Sequence, residues 1–287
     1  MSRAHPPSSV PVPVSVLMPV KNEALNLKLA LDTVRWSDDI WVVDSNSSDE
    51  TAAIARDQGV HVVQFDYDGR WPKKKNWSLQ TLEFKHEWVL ILDADERVPT
   101  RLAAEIATAV ESGHADGYYI DRDYVFMGRS LSSFRPNWNL RLFKHALGRY
   151  EDLGMEAVFT GDNEVHEHVI LNGRTGHLKH PLLHEDKRPI RSWVDNHNRY
   201  SEWEVEAYER FLREPLGLRQ LLSPEPVWRR RVLERIWVRL PARPLARFTL
   251  FYVWRRGFLD GRQGFRYAVL MAYYEYLISL KLKERQR

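Results

Sequence analysis

Asp93 and Asp95, one residue apart at the end of the apolar run Trp88 to Leu92, are the side chains of this sequence best suited to hold a hard cation. Paired carboxylates supply the oxygen ligands that Mg²⁺ or Mn²⁺ prefers, and such an ion can bridge and neutralise a diphosphate. An apolar run ending in acids reads as a strand that delivers them to its carboxyl end, where open α/β sheets bind ligands. Acidic turns after strands also occur without a metal, so the pair alone leaves both readings open. A second such place is Ile40 to Asp44, which runs into Ser45-Asn46-Ser47-Ser48-Asp49. Asp44 can accept a hydrogen bond from a nucleobase imide or a ribose hydroxyl. Ser48 or Asp49 has the ordinary task of capping the helix that follows.

The elements that must position these acids are legible in the first 113 residues, where strand and helix signals alternate as in a mostly parallel sheet covered by helices. The β-branched run Val14 to Val20 is a strand, and Glu23 to Arg35 carries Leu27, Ala30, Leu31 and Val34 at helical spacing. Ser47-x-x-Glu50 has capping-box form ahead of a helix stopped at Gly59, and Val60 to Phe65 is a third strand. A helix is expected near Trp77 to Phe84. Trp88 to Leu92 is then a central strand, and Pro99 is expected at the first position of a helix reaching Ser112. Residues 117–184 break into short aromatic and polar pieces, expected to lie over the carboxyl edge of the sheet. From about Ile190 the pattern is helical, interrupted by Pro215, Pro224, Pro226, Pro241 and Pro244. The expected division is a leader (1–13), a catalytic domain (14–189) with halves 14–113 and 114–189, and a helical tail (190–287).

The 287 residues contain 42 Lys+Arg, 39 Asp+Glu and 44% apolar residues, which excludes disorder as the main state. The absence of cysteine removes disulfides, thiolate zinc sites and cysteine nucleophiles, and fits a reducing, cytoplasmic setting. Residues 1–13 lack the apolar core of a signal peptide, so no export is expected. Tyr267 to Leu282 is interrupted by Glu275 and Lys281, short of the roughly 20 clean residues that a bilayer span needs. Charge is unevenly spread: from Arg210 onward there are 18 Lys+Arg against 6 Asp+Glu, a net +12. The arginines interleave with Trp228, Trp237, Phe248, Phe251, Tyr252, Trp254, Phe258 and Tyr273. Cationic aromatic helices of this kind lie in the interface of an anionic membrane. Self-association or plain packing on the catalytic domain is the second reading, and nucleic acid the weakest, because no recognised nucleic-acid motif accompanies the charge. His166, His168, His177, His180 and His184 lack the Cys or H-E-x-x-H partners of a zinc site.

Taken together, Pro19-Val20-Lys21-Asn22-Glu23, the D-S-x-S-x-D-x-T turn of Asp44 to Thr51 and the L-D-A-D-E-R-V stretch of Leu92 to Val98 resemble glycosyltransferase family 2 in its GT-A fold. The resemblance covers about residues 14–184. Arg141-Leu142-Phe143, Val165-His166-Glu167 and Leu182-Leu183-His184 follow in the order seen in the bacterial lipopolysaccharide-core β-glucosyltransferase group. The resemblance implies an α/β sheet domain of the nucleotide-diphospho-sugar transferase type with a C-terminal helical region that associates with membranes. Asp44 would bind the base of the nucleotide-sugar, helped by the backbone around Pro19 and Glu23. Asp95 would be the principal metal ligand, with Asp93 beside it on the ribose or the metal, and His184 a third ligand or a diphosphate donor. Lys75 would approach the diphosphate, although Lys73 and Lys74 leave that assignment open among three lysines. Arg141 offers a planar fork for a phosphate, or pairs with an acid. Segment Arg255 to Gly261 resembles membrane-facing tails of related transferases.

Inverting transfer needs a base to take the proton of the acceptor hydroxyl. Glu167 is the expected base, with Glu151 and Asp152 as alternatives. The implied partners are a UDP-hexose or similar donor, a lipid-linked saccharide acceptor and the anionic inner face of the cell membrane. The implied cofactor is Mg²⁺ or Mn²⁺. The alternatives are a sugar-phosphate nucleotidyltransferase, which ordinarily shows a Gly-rich loop after the first strand, and a noncatalytic membrane-surface or nucleic-acid binding protein.

Overall fold

The computed structural model describes residues 11–152, 168–222 and 226–285. The chain forms two compact units: one built from described residues up to 130 and from 135 to 187, the other from 131–134 and described residues from 188 onward.

In the sheet unit, β-branched and apolar runs become strands separated by short helices: β1 (Val14–Val20), α1 (Leu27–Leu31), β2 (Ile40–Asp44), α2 (Thr51–Asp57), β3 (His61–Gln64), α3 (Lys74–Thr81) and β4 (Trp88–Ile91). There follow β5 (Glu96–Arg97), α4 (Thr100–Ser112), β6 (Gly117–Ile120), β7 (Arg122–Phe126), β8 (Arg129–Ser130), β9 (Asn139–Lys144), β10 (Gly148–Tyr150), β11 (Val169–Leu171), β12 (Thr175–His177) and β13 (Leu182–His184). The main sheet has seven strands in the order β12-β6-β9-β4-β1-β2-β3. All neighbours are parallel except β9, which runs antiparallel to both β4 and β6. Its two faces carry separate apolar cores, one around Val16, Met18, Leu90 and Leu102, the other around Leu17, Val43, Ile91 and Phe143. A smaller sheet, β5-β13-β7-β8, and the pair β10-β11 complete the unit.

Local expectations change in the structure: the helix expected near Trp77 to Phe84 runs instead from Lys74 to Thr81, and three others differ. The helix expected over Glu23 to Arg35 is limited to α1; Asn26, at its cap, donates its side-chain amide to Glu23 and Asp186, each at 2.9 Å, and accepts the Lys187 N–H at 2.9 Å. The capping box is not formed: Ser47 gives its hydroxyl to Asp44, and the first turn of α2 is held by Asp49, which accepts the Thr51 N–H at 3.0 Å. Pro99 is the cap of α4 and not its first residue.

The helical unit contains α5 (Ile190–Arg213), α6 (Pro226–Arg239), α7 (Arg243–Thr249) and α8 (Gly261–Arg285). The helix ends fall beside the prolines: α5 stops before Pro215, α6 opens on Pro226 and α7 carries Pro244 in its first turn. The fully buried carboxylate of Glu275 ties the four helices together. It pairs with Arg243 Nε at 3.1 Å and Arg247 Nη2 at 2.7 Å, and accepts from Tyr208 Oη and Trp237 Nε1 at 3.3 Å. Among the described residues no helix is long and apolar enough to cross a membrane.

Candidate active site

The site is built on the two parallel neighbours of β1. Val20 of β1 lies opposite Asp44 of β2, and Leu17 lies opposite Ile91 of β4. Asp44 and the turn Asp93-Ala94-Asp95 therefore emerge at the same carboxyl edge of the sheet.

Asp44 is buried and its carboxylate is oriented by the turn after it. Ser47 donates its hydroxyl to Oδ1 and its N–H at 3.2 Å, and Gln64 Nε2 of β3 donates to Oδ2 at 3.1 Å. Asn46 makes this return possible by taking a left-handed backbone, φ 54°. The turn is laced to the loop after β1: Ser47 Oγ accepts the Asn22 N–H at 2.8 Å, Thr51 Oγ1 accepts the Glu23 N–H at 2.8 Å, and Asn22 Oδ1 accepts the Ser48 N–H at 2.8 Å. Pro19 and Glu23 thus stand beside Asp44 on a fixed rim. The side chains of Asn22, Ser47 and Thr51 are the part of this corner that sequence reasoning missed, and the D-S-x-S-x-D-x-T turn was the signal for them.

The acidic turn after β4 is an ion-pair network. Arg141 of β9 sends one nitrogen, Nη2, to Asp93 Oδ2 at 2.5 Å and Glu96 Oε1 at 2.9 Å. Glu96 is fully buried, and its other oxygen accepts the Asp93 N–H at 3.0 Å. Burial opposes ionisation of Asp93, but the Arg141 guanidinium, and after it Lys75, holds its carboxyl well below the usual carboxylate range. The same balance of burial against Arg141 lowers Glu96 and, seen from the other side, raises Arg141. Arg141 is therefore paired with two acids, one of the two roles that its sequence allows. Glu96 was not foreseen in the site, because its partner lies 45 positions away.

Asp95 is different. Burial pushes its carboxyl up, the nearby His184 works against the rise, and the charges of Asp93 and Glu96 add to it. β13 pairs antiparallel with β5 in the register His184 to Glu96, which brings His184 Nδ1 to 3.7 Å from Asp95 Oδ1 and 3.8 Å from Glu96 Oε1. The imidazole stacks on Tyr124 of β7 with ring centres 5.0 Å apart, and its buried Nδ1 makes no hydrogen bond. Burial works against the imidazolium, but the acids raise His184, with Asp95 the largest of them.

The three lysines separate. Lys73 and Lys74 are buried, and Lys74 Nζ donates to the Val20 carbonyl at 3.1 Å. Lys75 is partly exposed, with Nζ 5.2 Å from the centre of the Tyr150 ring and close enough to Asp93 to lower it. Asn76 clasps the Tyr150 backbone through two bonds of 2.8 Å. Glu151 Oε1 accepts the His168 N–H at 3.1 Å. Glu167 and His166 lie outside the described residues. The structure brings together Pro19, Glu23 and Asp44 at one corner of the edge and Asp93, Asp95, Arg141, His184 and Lys75 at the other.

A hard cation fits the second corner. An orphaned buried nitrogen on His184 faces the Asp95 carboxylate, whose ionised form lacks a cationic partner at hydrogen-bonding distance among the described residues. No three His, Asp or Glu side chains among the described residues converge as a complete cluster. Mg²⁺-type sites take one or two carboxylates and complete their shell with substrate phosphates and water.

Comparison with known proteins gives three concordant results. Residues 15–162, more than half of the chain, match the model of Glycosyl transferase family 2. An uncharacterized glycosyltransferase of Rickettsia bellii is 25% identical over 281 residues, covering 94% of this chain and 86% of that protein. The lipopolysaccharide core biosynthesis glycosyltransferase LpsC of Rhizobium meliloti is 24% identical over 295 residues, covering 96% and 93%. Among solved structures, the mannosyltransferase PcManGT of Pyrobaculum calidifontis, in complex with GDP-Man and Mn²⁺, superposes with a TM-score of 0.51 at 18% identity, covering 99% of this chain and 90% of that one.

Proposed function

This chain belongs to glycosyl transferase family 2 and is a glycosyltransferase with the GT-A fold, and on that premise we propose that it moves a hexose, with inversion, from a UDP-linked donor to a lipid-linked cell-envelope saccharide such as lipopolysaccharide core. The observation that carries this reading is the meeting of Asp44 and Asp95 at one carboxyl edge, on the two strands that flank β1. The likeness to LpsC over nearly the whole chain supports the acceptor class.

In this mechanism Asp44, held still by Ser47 and Gln64, accepts a hydrogen bond from the base or ribose, with the backbone near Pro19 and Glu23 against the nucleoside. Asp95, with His184 Nδ1 beside it, would hold Mg²⁺ or Mn²⁺, and Asp93 keeps its charge through Arg141 and faces the same corner. The cation, when bound, supplies Lewis-acid neutralisation of charge on a leaving diphosphate. Lys75 adds a second positive charge there. Glu167 takes the proton of the acceptor hydroxyl as that oxygen attacks the anomeric carbon from the face opposite the diphosphate, so that no covalent enzyme intermediate forms.

The acceptor class agrees with the surface of the helical unit. Between Arg243 and Lys283 the two acids, Asp260 and Glu275, are both buried, whereas Arg256, Arg262 and Arg266 are exposed beside Trp254, Phe258 and Phe265. An anionic inner membrane face complements this surface, and a lipid-linked acceptor resides there. A nucleotidyltransferase fits less well, since the β1 turn Pro19 to Glu23 contains no glycine.

The test is a donor screen by thermal unfolding with and without Mn²⁺, followed by mass spectrometry of lipid extracts from a strain lacking the gene. UDP or a UDP-hexose should raise the unfolding temperature further with Mn²⁺, and the extract should contain a glycolipid one hexose short. Equal shifts with and without Mn²⁺, or unchanged glycolipids, would count against the proposal.

A further inference from the structure

Asn26 is a fully buried polar side chain with no part in the chemistry described above. It lies three residues after Glu23, where the chain enters α1. An Asn amide has two N–H donors, and here both go to carboxylates from distant parts of the chain: Nδ2 donates to Glu23 Oε2 and to Asp186 Oδ1, each at 2.9 Å. Its oxygen accepts the Lys187 N–H at 2.9 Å. Every residue in this link belongs to the sheet unit.

The two ends of the link lead to the two corners of the edge. Glu23 is part of the rim beside Asp44: its N–H donates to Thr51 Oγ1 at 2.8 Å, and its carbonyl accepts the Asn26 and Leu27 N–H groups at 2.9 Å. Asp186 and Lys187 follow β13, in which His184 lies opposite Glu96. The Glu185 N–H between them donates to the Asp95 carbonyl at 2.8 Å. One amide thus joins the turn beside Asp44 to the loop that follows His184 and is bonded to the Asp95 backbone.

Arg97, 8% exposed, is within electrostatic reach of both ends. Its Nη1 donates to the Ala94 carbonyl at 2.8 Å and the Glu96 carbonyl at 2.9 Å. Burial holds its guanidinium below the usual range, against the pull of Asp95, Glu185, Glu23 and Asp186. Acids of both corners therefore surround one buried cation, and Asn26 fixes two of them, Glu23 and Asp186, on a common donor.

We propose that Asn26 is a positioning residue that makes a nucleoside diphosphate and its divalent cation bind cooperatively, by fixing the rim beside Asp44 relative to the Asp95 and His184 corner. The inference rests on the glycosyltransferase reading and deepens it on the donor side. A nucleoside placed at Asp44 presents its phosphates to the cation at an effective concentration set by how firmly the spacing of the corners is held. If that spacing drifts, either ligand binds without placing the other, and the coupling between them falls.

The experiment measures the Kd of UDP, with GDP as a second probe, by calorimetry with and without Mn²⁺ in the full chain. The ratio of the two Kd values is the coupling, and hydrogen exchange of the Lys187 amide in the metal-free protein reports the link itself. Asn26→Ala should speed that exchange about tenfold, the worth of one hydrogen bond. It should lower the coupling by about fivefold or more, with the metal-free Kd within about twofold of wild type. Asp186→Ala should also lower the coupling, whereas Asp186→Asn, which removes the same charge but keeps an oxygen for Asn26, should restore it. Thr33→Val is the structural control: Thr33 Oγ1 accepts the Val98 N–H at 3.0 Å, so its loss should lower the unfolding temperature and leave the coupling unchanged. The positioning role is overturned by an unchanged coupling in Asn26→Ala despite faster exchange, by equal losses in Asp186→Ala and Asp186→Asn, or by an equal loss in Thr33→Val. Should Asn26→Ala not fold, the two Asp186 variants decide the question. A wild type that gains nothing from Mn²⁺ with either nucleotide would instead overturn the reading of donor and cation on which the inference rests.

Discussion

Three carboxylates within four residues, Asp93, Asp95 and Glu96, fall into two states, and their partners explain why. Asp93 and Glu96 share the Arg141 guanidinium and stay ionised, whereas Asp95 has His184 at 3.7 Å and is pushed up by burial and by its neighbours' charge. A carboxylate raised in this way gains most from an added cation. Asp95→Asn should remove the Mn²⁺-dependent part of UDP stabilisation, which for a ligand at one hundred times its Kd is about 2.7 kcal/mol, and calorimetry with and without Mn²⁺ measures it. Arg141→Met leaves buried Glu96 and Asp93 without their countercharge, and denaturant unfolding should register a loss of about 3–5 kcal/mol. Glu167→Gln should keep UDP-hexose binding while transfer falls by about 10²–10⁴, and normal turnover would remove Glu167 as the base. The sequence announces Asp93 and Asp95 by their place after an apolar strand. It is silent on Glu96, whose role exists only because β9 returns Arg141 to it.

At the scale of elements, the strands were the legible part. Val14–Val20 and Ile40–Asp44 have the bounds read from sequence, and β4 ends one residue short of the expected run. Buried strands announce themselves by continuous β-branched and apolar residues, a signal that survives folding because both faces are covered. Helix starts were less legible, since they depend on where polar side chains send their hydrogen bonds. Ser47 chose Asp44 over its own helix, and Asn26 chose Asp186, 160 positions away. The antiparallel entry of β9 was not legible at all: Asn139–Lys144 reads like any short strand, and its direction is set by pairing with β4 and β6. One element-level prediction concerns the Gly257–Gly264 contact. Gly264→Ala places a methyl 2.0 Å from a backbone oxygen, so thermal unfolding should show a loss of about 1–3 kcal/mol, far more than alanine costs at an exposed helix position.

For the molecule as a whole, charge is the organising feature. The +12 carried from Arg210 onward is offset by acids elsewhere in the chain, so the net +3 conceals a strongly basic C-terminal region. Vesicles containing phosphatidylglycerol should retain the full chain, with roughly 1 kcal/mol per basic residue near the surface, and neutral phosphatidylcholine vesicles should retain much less. Co-sedimentation should weaken at 1 M salt, where the screening length falls to about 3 Å. Retention independent of lipid charge would remove the electrostatic part of the proposal.

The place of β9 also sets a timetable for the newborn chain. Strands β3, β2, β1 and β4 adjoin one another in the sheet and are all complete once Ile91 has been made, but the neighbour of β4 is β9, which ends at Lys144. At ribosomal speeds that gap is roughly 3–10 s, during which β4 is a bare edge able to pair with whatever strand it meets. The corner around Asp44 has its sheet neighbours in the chain by then, while the Asp93 to Glu96 turn waits for Arg141. Pausing of translation within that window would leave half a sheet open to aggregation, and a chaperone that guards nascent edges would be needed most there.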